Sequence, residues 1–583
     1  MSPSQQAQPD RPEVEVTVDD RALEPLVEAD VIEVDVHEEV GKHGRCTLLV
    51  QNWDADVRAV RHSDKGPFVP GAAIGVSLGY HAALKPVFEG VVTALTAHFS
   101  GGRPVLRVEA RSRSILLAHP PRSRVLADVS DADVASAVAA DYDLTTDAEV
   151  GVTREAVVSD RVSDWDFLLA RAQRLGWVLY VRGTTLVMRP PAQTENPPEF
   201  EYTRSLVELH LTDDLTHAID TATGVGWDPA ALETVESEQS SSAAAIDTGD
   251  RSDHAAAVGK TSWPLRSARD ESAAETAADA ADARAVGRQR DAALAHLHGR
   301  GVVLGDPTLR CDSWVSLTGV GTRMSGPHYL TAVRHHLSAQ GYRTEVQVGR
   351  PPALVPPPTP TPAGPGQTPR ESGLTIGVVD SLDDPQKTLR VRVRMPWRTD
   401  GGNGVWARLA TLDAGDGYGT VVVPNVGAEV VVGFIDGEGA APVVLGQLFS
   451  GAAKPPEDID PDANTLRVLV TPGGHRLTFD DGDAPRIALT SGQGHEVVID
   501  DQDGRIALTH KDSGNALEVS ADGITITAAQ GGITLKAASG TVGIDAMTFE
   551  GKATAPSKLE SSATFDLTAS GPLGLKGALV NIN

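Results

Sequence analysis

The sequence predicts a mainly β protein with some helix, in three parts. These are a long mixed N-terminal region, a small closed barrel, and a tail of short strands that closes only against other copies of itself. Three observations carry this. The proline-dense stretch "PPALVPPPTPTPAGPGQTPRES" (351–372) cuts the chain, since proline at that density forms neither ladder nor helix and acts as a semi-rigid spacer. Five short β-patterned runs follow within 373–450. Beyond them "GHRLTFDDGDAPRIALT" (474–490) returns as "GHEVVIDDQDGRIALTH" (494–510), a period of twenty.

Composition sets the outer limits. A chain of 583 residues exceeds what one core serves, ~250–300 residues. Its 51 basic and 79 acidic residues leave a net charge of −28, which works against wrapping nucleic acid. Cys46 and Cys311 are too few and too far apart for a disulfide framework or a zinc site, and read as buried free thiols. The start, "MSPSQQAQPD", shows no secretory leader, and no apolar run nears the ~20 residues of a membrane span. A protein made in the cytoplasm is expected.

In the N-terminal region, 1–350, strands are expected at "VEVTV", "TLLVQ", "AIGVSLGY" and "VLRVEARS". Ser163 with Asp166 three residues on is a variant of the capping box, and Trp165, Leu168, Leu169, Ala172 and Leu175 then share one helical face up to Gly176. The hairpin "WVLYV-RG-TTLVM" follows. Residues 230–262, rich in Ser, Glu and Ala, read as a mobile insertion, and the alanine-rich run from about Asp270 to His298 as one long helix.

The runs "LTIGVVDSL", "TLRVRVRMP", "VWARLAT", "AEVVVGFID" and "APVVLGQLF", joined by Gly, Asp and Asn turns, suit an OB-like barrel over 373–450. After a short break, 451–464, the tail 465–583 repeats: "RIALT" at 486–490 recurs at 505–509 and shades into "GITIT" (523–527) and "GITLK" (532–536). Strands this short leave open edges, and after Phe479 the only aromatics are Phe549 and Phe565, so any interior is narrow. Three chains wound together solve both problems. A homotrimeric, intertwined triple-stranded β-helix is therefore expected, with Ile524, Ile526, Ile533 and Leu535 inside it.

Several stretches together resemble the hub-and-spike proteins of contractile injection systems, the VgrG-like family found in phage baseplates, type VI secretion and phage tail-like particles. "SDWDFLLARAQRLGW" (163–177) is similar to a helix of the family's tube-like hub, and 305–350 to the strands that close that hub. "VPNVGAEVVVGFIDGEGAAPVVLGQL" (423–448) is similar to its OB domain, while "GHRLTFDD" and the terminal "GALVNIN" resemble the start and end of its β-helix needle. The resemblance implies a non-enzymatic trimeric spike. It would join an inner tube and baseplate at the hub end, and sheath contraction would drive it through a target envelope with only transient membrane contact. It further implies a separate conical (PAAR-like) tip protein docking at Val580, Ile582 and Asn583. The lysozyme of one family branch has no room here, since about fifteen residues separate "GQLFSG" from "TLRVLV". No fused C-terminal toxin is expected, so cargo would be a separate effector. A phage tail-like particle fits such a compact chain best.

Other chemistry is weaker. His335 and His336 are adjacent and point to opposite faces of a strand, and His37, His43 and His62 are scattered, so no metal or cofactor is expected. Arg390, Arg392 and Arg394 alternate onto one face near Trp397 and Trp406, but 371–451 holds ten acids to six bases, which favours packing over nucleic acid. A trimeric spike that binds or cleaves cell-surface polysaccharide is the rival reading, and the lack of aromatic platforms counts against it. The pairs Asp480–Asp481 and Asp500–Asp501 each close a strand and precede the next repeat, so they read as turns rather than as catalytic or calcium-binding groups.

Overall fold

The alternating N-terminal runs become strands because a period of two lines each face with its own row of side chains. The four runs lie in Pro12–Val18, Arg45–Gln51, Ala73–Tyr80 and Val105–Arg111. A computed structural model describes residues 11–582 except 65, 82, 101–103, 217, 241–266, 351–372, 397–403, 438 and 459. It divides into two units, Met1–Phe449 and Ser450–Asn583. The expected linker 351–372 and part of the expected insertion, 241–262, lie outside the described residues, as does Trp397. No described helix is long and apolar enough to cross a membrane.

In the first unit those strands belong to a thirteen-stranded sheet. Val31–Glu39 pairs on one side with Arg45–Gln51 and on the other with Gly326–Ser338, so the two ends of the region meet in one ladder. One core gathers Val34, Val36, Leu48, Leu78, Leu106 and Val108, and another gathers Leu206, Val303, Leu317, Leu330 and Val346.

The helix Asp164–Arg174 is capped as its sequence dictates. The Ser163 hydroxyl accepts from the Asp166 amide at 3.1 Å and lies 2.7 Å from its carboxylate. Trp165, Leu168, Ala172 and Leu175 are buried, with Phe167 added, against the hairpin of Val178–Arg182 and Thr185–Arg189. Gly176 ends the helix at φ +60°, where a Cβ would meet the Gly287 carbonyl oxygen at 2.6 Å.

Two expectations are corrected. The long helix runs Ala278–His296, because Ser267–Glu271 instead pairs in parallel with Thr221–Asp228. Glu233–Ser240, expected within a mobile insertion, is a strand antiparallel to the same partner. In both cases a ladder to a distant strand outweighs local propensity.

The five expected barrel strands all form and close in the order Thr375–Ser381, Val391–Arg394, Val405–Leu409, Pro442–Gln447, Glu429–Phe434. Val379, Val391, Val393, Ala407, Val430, Val432 and Val444 fill it. Outside, Arg390 and Arg392 are already matched. Arg390 bonds Asp384 at 2.9 Å and Glu155 of the strand Arg154–Val162 at 2.8 Å, while Arg392 bonds Asp380 at 2.8 Å. Burial works to raise the Asp384 pKa, but Arg390 and the amides of Thr388, Arg390 and Gln386 outweigh it and hold the carboxyl well below its usual range.

Both cysteines are buried and free, and burial pushes their thiols up. His335 is 1% exposed, whereas its neighbour His336 faces the other way and is half-buried. The Tyr342 hydroxyl lies 2.7 Å from His335 Nδ1, and Nε2–H donates to the Leu309 carbonyl at 3.0 Å, so the imidazole is held neutral. Burial, then the nearby Arg310 charge, push its pKa down to about 4 from 6.5. Between those values the unfolded chain binds the proton and the folded chain does not. This contribution is therefore complete above pH ~6.5 and is lost as pH falls towards ~4, up to about 3 kcal/mol. Denaturant titrations at several pH values should show this slope in the native protein and a flatter one in His335→Gln; equal slopes would refute the assignment.

Candidate assembly interface in the C-terminal repeats

Short alternating runs separated by Gly-containing turns fold back on themselves. The tail forms a seven-stranded antiparallel meander: Leu466–Val470, Arg476–Asp480, Arg486–Thr490, Glu496–Asp500, Arg505–His510, Asn515–Ser520 and Gly523–Thr527.

The register stacks apolar residues into two columns on one face. One column runs Leu469, Leu477, Leu489, Val497, Leu508, Leu517, Ile526. The other runs Phe479, Ile487, Ile499, Ile506, Val519, Ile524. The middle of the opposite face carries Thr478, Ala488, Val498, Ala507, Glu518 and Thr525. Among the described residues nothing covers the columns: Leu508 is 51% exposed and Ile526 56%. Among the described residues, 26 of the 47 exposed large apolar side chains fall in 466–582. Monomers rarely expose contiguous apolar surface on this scale.

The turns repeat in detail. The Thr471 amide donates to the His475 carbonyl at 2.9 Å, and the His475 amide to the Thr471 hydroxyl at 3.1 Å. Ser491 and His495 reproduce both bonds at 2.8 and 3.0 Å, with Gly474 and Gly494 at φ +79° and +86°. The acid pairs have the turn role expected of them. Asp480 accepts from the Gly482 amide at 3.2 Å and Asp500 from the Asp503 amide at 3.0 Å.

Of the residues expected inside the needle, Ile524 and Ile526 end the two columns. Ile533 and Leu535 follow where, among the described residues, no strand forms within the chain. Val580 and Ile582 are exposed, and Asn583 lies outside the described residues. A feature that sequence reading missed is the His495–His510 pair, whose rings stack 4.2 Å apart. The signal lay in the four-residue turn 501–504, which sets His510 opposite the second Gly-His.

Two known family models match stretches of the first unit. The family model of the Alg8 N-terminal domain matches residues 9–339, more than half of the chain. The chain belongs to the Alg8 N-terminal domain family. The model of the type VI secretion system/phage-baseplate injector OB domain matches residues 375–449, the barrel. The likeness to VgrG spike proteins drawn from sequence is borne out. VgrG4b of Pseudomonas aeruginosa is 35% identical over 91 residues, 15% of this chain and 11% of that protein. VgrG3 of Vibrio cholerae is 35% identical over 101 residues, 16% of this chain and 10% of that one. The chain thus covers about a tenth of these relatives' length. In fold it is similar to a chain of the half-lidded Francisella PdpA–VgrG complex, with a TM-score of 0.51 at 6% identity over 89% of this chain and 88% of that one.

If the acid pairs act as turns, Asp480→Ala and Asp500→Ala should each lower stability by about 1 kcal/mol, the worth of one side-chain-to-amide bond, with additive effects in denaturant melts. A loss several times larger in either variant would contradict a simple turn role.

Proposed function

We propose that three copies of the chain wind together into the central spike of a contractile injection machine. In this reading 1–350 is the hub that meets the inner tube and baseplate, 351–372 and 451–464 are linkers, 373–450 is the OB barrel and 465–583 is the needle. The spike does no chemistry. It carries a separate conical tip at Val580, Ile582 and Asn583 and brings non-fused cargo through the target envelope on sheath contraction.

The observation that carries the proposal is the pair of uncovered aliphatic columns. Three such faces turned inward would bury one another, and Ile524, Ile526, Ile533 and Leu535 would continue the same interior. The columns are aliphatic apart from Phe479, which suits a narrow rod better than a sugar-binding platform. The matched Arg390 and Arg392 support protein packing over nucleic-acid binding at the barrel.

Light scattering on the full-length chain should give a mass three times that of one chain, and a monomer would overturn the proposal. Ile526→Asp and Leu508→Asp should dissociate the trimer, whereas Thr525→Asp, on the opposite face, should not. Ile582→Asp should abolish capture of the tip protein while the trimer mass holds. Cleavage of capsular or cell-wall glycans by the pure protein would instead favour a polysaccharide-acting spike.

A further inference from the structure

His495 and His510 face each other where the fourth and fifth tail strands run into their turns. The ladder pairs Glu496 with Thr509, and one step further along the same register sets the two histidines opposite. Their rings lie 4.2 Å apart with planes 22° from parallel. Asp512, in the following turn, completes a group in which one donor atom from each residue lies within 4.8 Å of the others. Two imidazoles and a carboxylate are a donor set suited to zinc, nickel or copper rather than to calcium or magnesium. Paired strands fix the spacing of the two imidazoles before any metal arrives.

The surroundings fit this use. His510 Nδ1 lies 2.9 Å from the Ser513 hydroxyl. The Ser513 amide donates to the same nitrogen at 3.3 Å, a long bond that is given up when Nδ1 takes the proton and donates to the hydroxyl, leaving the Nε2 lone pair for a metal. His495 Nδ1 meets the Lys511 amide at 3.3 Å, a long bond that binding can displace at small cost. The Lys511 side chain lies over Gly494, the residue before His495, and is the nearby cation a metal must tolerate.

We propose that His495, His510 and Asp512 bind a divalent transition metal of the zinc class, clamping the fourth and fifth strands near the start of the needle. The molecule supplies two internal comparisons. His475 holds the same place one repeat earlier but stands opposite Ser491, so it has no second imidazole. Glu33, Asp35 and His336 also cluster, but Asp35 is already taken by Arg334, whose Nε lies 3.0 and 3.1 Å from its two oxygens, and that guanidinium would repel a cation.

The test is calorimetric titration of Zn²⁺ into the tag-free, full-length chain, with Co²⁺ absorption as a second probe of geometry. About one equivalent per chain should bind. His495→Gln and His510→Gln should each weaken binding roughly 100-fold and Asp512→Asn roughly 10-fold, while His475→Gln changes nothing. None of the four positions is buried, and an unaltered mass shows that the variants still assemble. Failure of Zn²⁺ to bind at 100 μM, or binding that survives both histidine changes, would overturn the site. Binding lost in Glu33→Gln but kept in His510→Gln would move it to the other cluster and equally overturn it. Because the stoichiometry is counted per chain, the result stands apart from whether the assembly is a trimer.

Discussion

Two columns of largely aliphatic side chains that no described residue covers set the terms for the rest of the molecule. Each Leu or Ile there would contribute about 1.5–3 kcal/mol if fully covered. A lone chain forgoes most of that, since Leu508, Ile506, Leu489 and Ile526 stay roughly half exposed. The strands are five or six residues long, so no side chain can fold over its own sheet as a lid. No described residue covers the columns, and in the trimeric reading proposed above the same face on another copy does so.

The first unit is built on the opposite principle. Its thirteen-stranded sheet, capped helices and closed barrel bury their own cores, and its charges are matched at close range. Asp312 shows how tightly. It accepts from the Tyr329 hydroxyl at 2.7 Å, the Tyr180 hydroxyl at 3.1 Å and the Ala192 amide at 2.8 Å, and pairs with Arg189 at 3.0 Å. Three segments, at 180, 189–192 and 329, converge on one buried carboxylate, and leaving any of their donors unpaired would cost about 1–3 kcal/mol. Arg390, shared between Asp384 of the barrel and Glu155 of the strand Arg154–Val162, extends the same device to the join between the barrel and that strand's two-stranded sheet.

What could be read in the sequence follows from this contrast. The barrel strands, the Ser163 cap with the helical face it starts, and the Asp480 and Asp500 turns are specified by residues close together in the chain, so periodicity and capping chemistry disclose them. The strands Glu233–Ser240 and Ser267–Glu271 escaped because both depend on Thr221–Asp228, a partner no local pattern reveals. The His495–His510 pair escaped for a subtler reason. Each histidine is visible, but their meeting depends on a turn one residue shorter than the earlier ones, which only the register exposes.

The same local code then continues past the point where the chain can satisfy it. Every strand from the second to the seventh offers an apolar pair two residues apart, from Leu477 and Phe479 through to Ile524 and Ile526. The pattern goes on at Ile533 and Leu535, Val542 and Ile544, Phe565 and Leu567, Leu573 and Leu575, and Val580 and Ile582, all exposed. Yet Gly523–Thr527 is the last strand among the described residues. Alternation without a ladder leaves both apolar side chains and backbone N–H and C=O groups without partners, a combination that folded chains avoid. In the trimeric reading proposed above, a neighbouring copy would lend its strand to the ladder and its aliphatic pair to the axis. Residues 466–527 pair with one another in the ladder and lack only cover, whereas among the described residues 528–582 form no strand and expose their apolar pairs. A change that breaks the interface should therefore strip order first from the last stretch and leave the meander as the longer-lived remnant.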